Sequence, residues 1–233
     1  MINTKKQFEE WVSKSNNSFH PVVPFDPVHD RLLLMDFTEK NTGLTETILN
    51  DTKLFSEYVN AQLKKASAKY GIGGYDEHRT IYSRSRVFDG EEPRRLHLGV
   101  DIWGNAGTPV YSPFTGSVHS FAFNNADGDY GATVIIEHEA EGFQFHTLYG
   151  HLDLDSIRDK VEGQSIAQGD RFASFGPPAE NGNWPPHLHF QLVMDMKDYK
   201  GDYPGVCRFS ERQSYLDNSP DPDLILQMMQ YVQ

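Results

Sequence analysis

Ala132-Thr-Val-Ile-Ile-Glu-His138 is a run dominated by β-branched residues, with no glycine or proline inside it, and its reading decides the fold class. Two shorter apolar runs precede it, Pro109-Val-Tyr111 and Gly116-Ser-Val-His-Ser-Phe121, and turn-forming residues separate the three. After Arg95 this grammar predicts a compact sheet of many strands. Asn124-Asn-Ala-Asp-Gly-Asp129 lies between two runs and reads as a hairpin loop; it lacks the twelve-residue pattern and terminal Glu of a calcium loop.

Working outward, the pattern changes on both sides. Upstream, Phe8, Trp11 and Val12 predict a short helix, and Leu54, Phe55, Tyr58, Val59 and Leu63 predict a longer amphipathic helix from Asp51 to Lys69, with Gly71, Gly73 and Gly74 expected to stop it. Downstream, Ser219-Pro-Asp-Pro to Gln233 reads as a capped final helix with Leu224, Ile225 and Met228 on its buried side. The chain therefore divides into a partly helical N-terminal extension (1–90), a β-rich central region (91–200) and a C-terminal tail (201–233). No repeat, low-complexity tract or long linker interrupts it.

Composition narrows the function classes. The chain has 233 residues and a formal charge of −12, and its pI is about 5.2. Such an acidic protein lacks the Lys and Arg surplus that neutralises phosphates, so nucleic acid is not an expected partner, and unaided adhesion to an anionic membrane is disfavoured. The single cysteine, Cys207, excludes an internal disulfide framework and any Cys₄ or Cys₂His₂ zinc cluster, and reads as a small buried hydrophobe. The stretch from Met1 to Glu10 carries no apolar signal-peptide core and no run approaches the length of a membrane span, so a cytoplasmic location is the expectation.

The chemistry sits in two short motifs, His97-Leu-Gly-Val-Asp101 and His187-Leu-His189. In a strand, alternate side chains share a face, so His187 and His189 project together with Leu188 opposite. Pro185-Pro186 cannot donate to a ladder and fixes where that strand begins. Gly99 is expected to relieve crowding between His97 and Asp101. A carboxylate with neutral imidazoles makes the mixed oxygen and nitrogen donor set that zinc accepts at a catalytic site. A second His-x-x-x-Asp, His151 to Asp155, competes with the first, and spacing alone leaves both pairs open. His119, His138 and His146 lie in strand-like runs and read as structural, His20 and His29 as exposed, and His78 carries no signal. Trp184 reads as a packed aromatic that could also line a groove.

The order His97-Leu-Gly-Val-Asp101, Gly107-Thr-Pro-Val110, Gly116-Ser-Val118, Tyr149-Gly-His151-Leu, Gly163-Gln164, Gly169-Asp170 and His187-Leu-His-Phe190 resembles the lysostaphin-type (LytM-like) zinc metalloendopeptidases over about residues 95–195. The resemblance implies a mainly β, antiparallel barrel-sandwich hybrid with its site in an open groove. It implies that His97, Asp101 and His189 bind Zn²⁺, which decides for Asp101 over Asp155, and that His151 and His187 are the catalytic imidazoles beside the attacking water. It also implies hydrolysis of a peptide bond, often a glycyl or other peptidoglycan-type bond, and leaves the partner protein unknown. No His-Glu-x-x-His helix is present to supply a Glu base. Against the family pattern, neither an export signal nor a wall-binding module is expected here, and Glu180-Asn-Gly-Asn-Trp-Pro-Pro186 stands where a small Ser- and Thr-containing turn is usual. Asn183-Trp-Pro-Pro-His187-Leu-His-Phe-Gln191 also looks like the peptidase-like module joined to class III aminotransferases and kinase-like phosphotransferases, which implies a cytoplasmic protein with a small peptide or amide as substrate. Two other classes share such a fold: a non-catalytic binding or regulatory module, against which retention of all five site residues counts, and, more distantly, a phosphocarrier.

Overall fold

The computed structural model describes residues 4–14 and 19–232. The chain opens with α1 (Thr4–Lys14), β1 (Leu32–Leu34), α2 (Glu46–Leu49), α3 (Thr52–Ala66) and β2 (Tyr70–Gly73). The central region supplies β3 (Leu96–His97), β4 (Val100–Trp103), β5 (Pro109–Tyr111), β6 (Gly116–Asn124), β7 (Gly131–Ala140), β8 (Phe143–Leu152), α4 (Asp155–Arg158), β9 (Ser165–Ile166), β10 (Arg171–Ser174) and β11 (His187–Val193). The tail adds β12 (Val206–Cys207), α5 (Arg212–Asn218) and α6 (Asp223–Leu226). The fold is mainly β: one eight-stranded sheet runs β1-β2-β4-β11-β8-β7-β6-β9, beside the two-stranded pairs β10-β5 and β12-β3. Among the described strand pairs β1–β2 is parallel and the others are antiparallel.

The run at 132–138 is apolar without strict alternation because both faces of β7 are covered. Ala132, Val134 and Ile136 point into the main core, while Ile135 joins Leu148, Val193 and Tyr203 on the other face. The Asn124–Asp129 segment is a hairpin loop, with Asn124 of β6 paired to Gly131 of β7.

The N-terminal stretch is part of this architecture. Phe8, Trp11 and Val12 of α1 are buried, and the Phe8 and Trp11 rings lie 5.0 and 5.6 Å from Phe145 of β8. Helix α3 starts where the Asp51 carboxylate accepts the Lys53 and Leu54 amides, a side-chain cap for two of the orphan donors of the first turn. It ends at Ser67, in the left-handed conformation, before the glycines expected to stop it. Gly71 and Gly73 instead lie in β2 and pair with Trp103 and Asp101 of β4. They are needed for close approach: a Cβ at Gly71 would stand 2.6 Å from Met35 Cγ, and one at Gly73 2.6 Å from the Met35 carbonyl oxygen. The tail also departs from a continuous helix. Gln227 adopts a left-handed conformation after Leu226, and a 3₁₀ turn, Met229–Tyr231, follows; Gln233 lies outside the described residues.

Phe55, Val59 and Leu63 of α3 pack with Phe37, Trp103 and Trp184 in a second cluster. Each fully buried large side chain contributes about 1.5–3 kcal/mol. The Phe37 and Phe55 rings lie 4.9 and 6.0 Å from the Trp103 ring, so they fix Trp103 from behind. Among the described residues, no helix is long and apolar enough to cross a membrane.

Candidate metal centre

Three strands bring the two motifs together. In the β4–β11 ladder His189 is opposite Asp101 and His187 opposite Trp103, while β3 ends at His97. His97 Nε2 lies 2.9 Å from His189 Nδ1, and Asp101 Oδ1 lies 3.2 Å from His97 Nε2 and 3.1 Å from His189 Nδ1. All three residues are buried. Gly99 serves this meeting differently from expectation: a Cβ there would lie 2.5 Å from His189 Cε1, so the space it leaves is for His189.

The ring partners define the tautomers. His97 Nδ1–H donates to the Gly74 carbonyl at 2.8 Å, which can only accept. Gln191 donates its amide to Pro204 O and Ser219 Oγ, so its Oε1 faces His189 and accepts from Nε2–H at 2.9 Å. His97 Nε2 and His189 Nδ1 are therefore both bare, and their contact sets lone pair against lone pair beside a carboxylate oxygen. Burial, then the nearby Arg79 charge, pulls His97 down to about 3, which keeps it neutral. Burial alone would push Asp101 up, but the neighbouring His97 and the Arg79 charge hold it well below the usual carboxylate range.

This donor set fits a zinc ion. For a tetrahedral centre with ligands at 2.0–2.1 Å the ligand–ligand edge is about 3.3–3.4 Å, and the three separations observed here, 2.9–3.2 Å, are close to it. A cation would also turn the opposed lone pairs from a repulsion into three attractions.

His151 and His187 stand beside the cluster, their ring centroids 4.1 Å apart. His187 is stacked on Trp103 at 3.9 Å with an interplanar angle of 11°. Its Nδ1–H donates to Pro185 O at 2.8 Å, and that of His151 to Asn181 O at 2.8 Å, so Nε2 is the acceptor on both rings. Burial pulls His187 down to about 4, and burial with the neighbouring His187 pulls His151 lower than an ordinary imidazole. His151 closes β8 in a left-handed conformation (φ 62°), a region where His is enriched among non-glycine residues. Buried Asn181 knits the loop before β11, donating to Gly176 O and Trp184 O and accepting from the Trp184 amide. Asp155 is exposed on α4 and pairs with Arg158, away from this cluster.

A cavity of about 270 Å³ opens over these groups, and Asp101, His151, His187, His189 and Trp184 line it. Trp184 is thus both packed and groove-lining. Cys207 lies elsewhere, buried, with burial pushing its thiol up to about 12. Two residues around the site carried no motif signal: Arg79, ion-paired to Asp101 Oδ2, and Tyr130, whose hydroxyl donates to Tyr203 O at 3.1 Å and lies 3.4 Å from His189 Nε2; a third, Gln191, stood at the end of the Asn183–Gln191 string with no role assigned. Gln191 could have been found, since it sits two residues beyond His189 on the same face of one strand.

Residues 95–200 match the family model described as Peptidase family M23. The L-Ala--D-Glu endopeptidase of Bacillus subtilis (strain 168) is 28% identical over 149 residues, which cover 61% of this chain and 42% of that protein. A zinc containing peptidase from Vibrio cholerae aligns at 25% identity and TM-score 0.37, over 56% of this chain and 35% of that one. The catalytic domain of lysostaphin from Staphylococcus simulans aligns at 17% identity and TM-score 0.39, over 69% and 96%. The match to residues 95–200 takes in the His97, Asp101 and His189 cluster with both neighbouring imidazoles, and it supports peptidase family M23 for this part of the chain.

Proposed function

We propose that this chain is a zinc-dependent peptidase in which His97 Nε2, Asp101 Oδ1 and His189 Nδ1 hold the metal and His151 and His187 move the proton. The observation that carries this reading is the convergence of three protonless donor atoms, buried together, beside two imidazoles that line a common cavity and keep Nε2 free to accept. Zinc bound there would polarise a scissile carbonyl and acidify water toward neutral pH. Nε2 of His187 or His151 accepts the proton of the attacking water. With centroids 4.1 Å apart, both rings cannot be cationic at once, so the pair holds a single proton and returns it to the leaving amine. The protonated ring donates a hydrogen bond to the developing oxyanion while it holds that proton. The Pro185 and Asn181 carbonyls keep both rings in the productive tautomer throughout.

The substrate proposed is a peptide of the peptidoglycan type, with the L-Ala–D-Glu bond assayed first because a relative is named for it and glycyl peptides second. The likeness to the module joined to class III aminotransferases bears on where that substrate arises and leaves the chemistry unchanged. The test is metal content by mass spectrometry on protein purified without chelator, followed by peptide hydrolysis before and after metal removal. About one zinc per chain, with activity lost on removal and restored by zinc, is expected. Folded protein that neither contains nor takes up zinc would overturn the reading.

A further inference from the structure

Arg79 is completely buried, yet it belongs to neither motif and lies outside residues 95–200. Its Nη1 donates to Asp101 Oδ2, and its Nε donates to Glu77 Oε2 at 2.7 Å. The guanidinium carbon lies 5.4 Å from the Phe37 ring centroid, which closes it in on a further side. The backbone around it is pinned: Asp76 N donates to His97 O, His97 N to Glu77 O, and Arg79 N to Arg95 O, at 2.9–3.0 Å. The same strap supplies the Gly74 carbonyl that holds His97, from a glycine with a positive φ of 57°. Segment 74–79 therefore grips two of the three donor residues from outside the matched region.

A carboxylate has two oxygens, and a metal can take one or both. We propose that Arg79 is a positioning residue, whose hold on Asp101 Oδ2 leaves only Oδ1 to face the metal. The inference rests on the zinc reading above. Burying a guanidinium is expensive, and a hydrophobic side chain of similar volume is often as good for stability when both charges are replaced. Fold stability alone therefore gives weak reason for an arginine here. Control of the neighbouring carboxylate gives a specific one. The planar fork suits the task because it spans Glu77 and Asp101 at once, which a lysine ammonium does less rigidly.

The test uses cobalt(II) as the metal probe and its visible spectrum as the readout, on metal-free wild type, Arg79→Met, Arg79→Gln and Arg79→Lys. Wild type is expected to show the strong visible absorption of four-coordinate cobalt. Arg79→Met and Arg79→Gln should lose it as the freed second oxygen of Asp101 enters the coordination shell, and Arg79→Lys, which keeps a charge at Oδ2, should retain most of it. If Arg79→Met does not fold, the Gln and Lys variants carry the same comparison. Spectra of the Met and Gln variants that superimpose on wild type, or a wild-type spectrum already of higher coordination, would overturn the inference. Failure of folded wild type to take up cobalt would instead overturn the metal reading on which it rests.

Discussion

Gly99→Ala tests the proposed metal centre with a single methyl group. Gly99 bridges β3 and β4 at a backbone conformation open to any residue, so the substitution adds no backbone strain and acts only through volume. Its Cβ would lie 2.5 Å from His189 Cε1, 2.7 Å from His189 Nε2 and 2.8 Å from Phe190 O. Carbon atoms in comfortable contact sit about 3.5–4.0 Å apart, so the imidazole must retreat by roughly 1 Å. It has nowhere easy to go, because Gln191 holds Nε2, Asp101 faces Nδ1 and the Tyr130 ring centroid is 5.1 Å away. Overpacking of this kind costs about 1–3 kcal/mol. If most of that falls on the metal-bound state, zinc affinity drops about 5–150-fold. Competition against a chromophoric chelator reads the affinity, and melting of the metal-free protein reads what falls on the fold. Gly43→Ala, whose Cβ would meet Asn41 Oδ1 at 3.3 Å far from the site, is the control. Zinc affinity within twofold of wild type, with unchanged melting, would refute the packing argument and the placement of His189 in the donor set.

The remaining predictions concern the imidazoles. His187→Ala should keep zinc and lose about 10²–10⁴-fold in kcat/KM, whereas His189→Ala should lose both; equal zinc loss in the two variants would collapse the division of roles. His138, outside the site, tests burial separately. It donates Nδ1–H to Thr115 O at 3.0 Å and accepts from Thr147 Oγ1 at 2.7 Å, and burial pulls its pKa down to about 4. Because the unfolded chain binds this proton near pH 6.5 and the folded chain only near pH 4, its stabilisation is complete above about pH 6.5 and drains away as pH falls toward 4. By linkage the loss at pH 5 is about 2 kcal/mol. Denaturant titrations at pH 7.5 and 5 should show a smaller drop in His138→Gln than in wild type, and an equal drop would contradict it.

What the sequence disclosed follows the range of the forces that act. Strand content was legible because β7 carries its apolar, β-branched character locally, and the shared face of His187 and His189 follows from the pleat alone. Pairing across the sheet was not legible. The His189–Asp101 register joins positions 88 residues apart, and no local rule separated Asp101 from Asp155 until the ladder carried one inward and the other was left exposed on α4. The glycines at 71 and 73 show the same limit from the other side. Local grammar reads a glycine cluster after a helix as its stop, but their role is set by Met35 crossing β2, a contact between segments about 35 residues apart. Arg79 is the sharpest case. In sequence it is one cation in a polar run between two regions, with no period and no motif. Its meaning arises only when residues 76–79 lie along β3 and bring a buried charge against Asp101. The chemistry of the donor atoms is thus written in short motifs, while the groups that fix how those atoms are presented come from a strap whose relation to them exists only in three dimensions. For that reason segment 74–79, rather than the motifs, is where changes should retune the site without removing it.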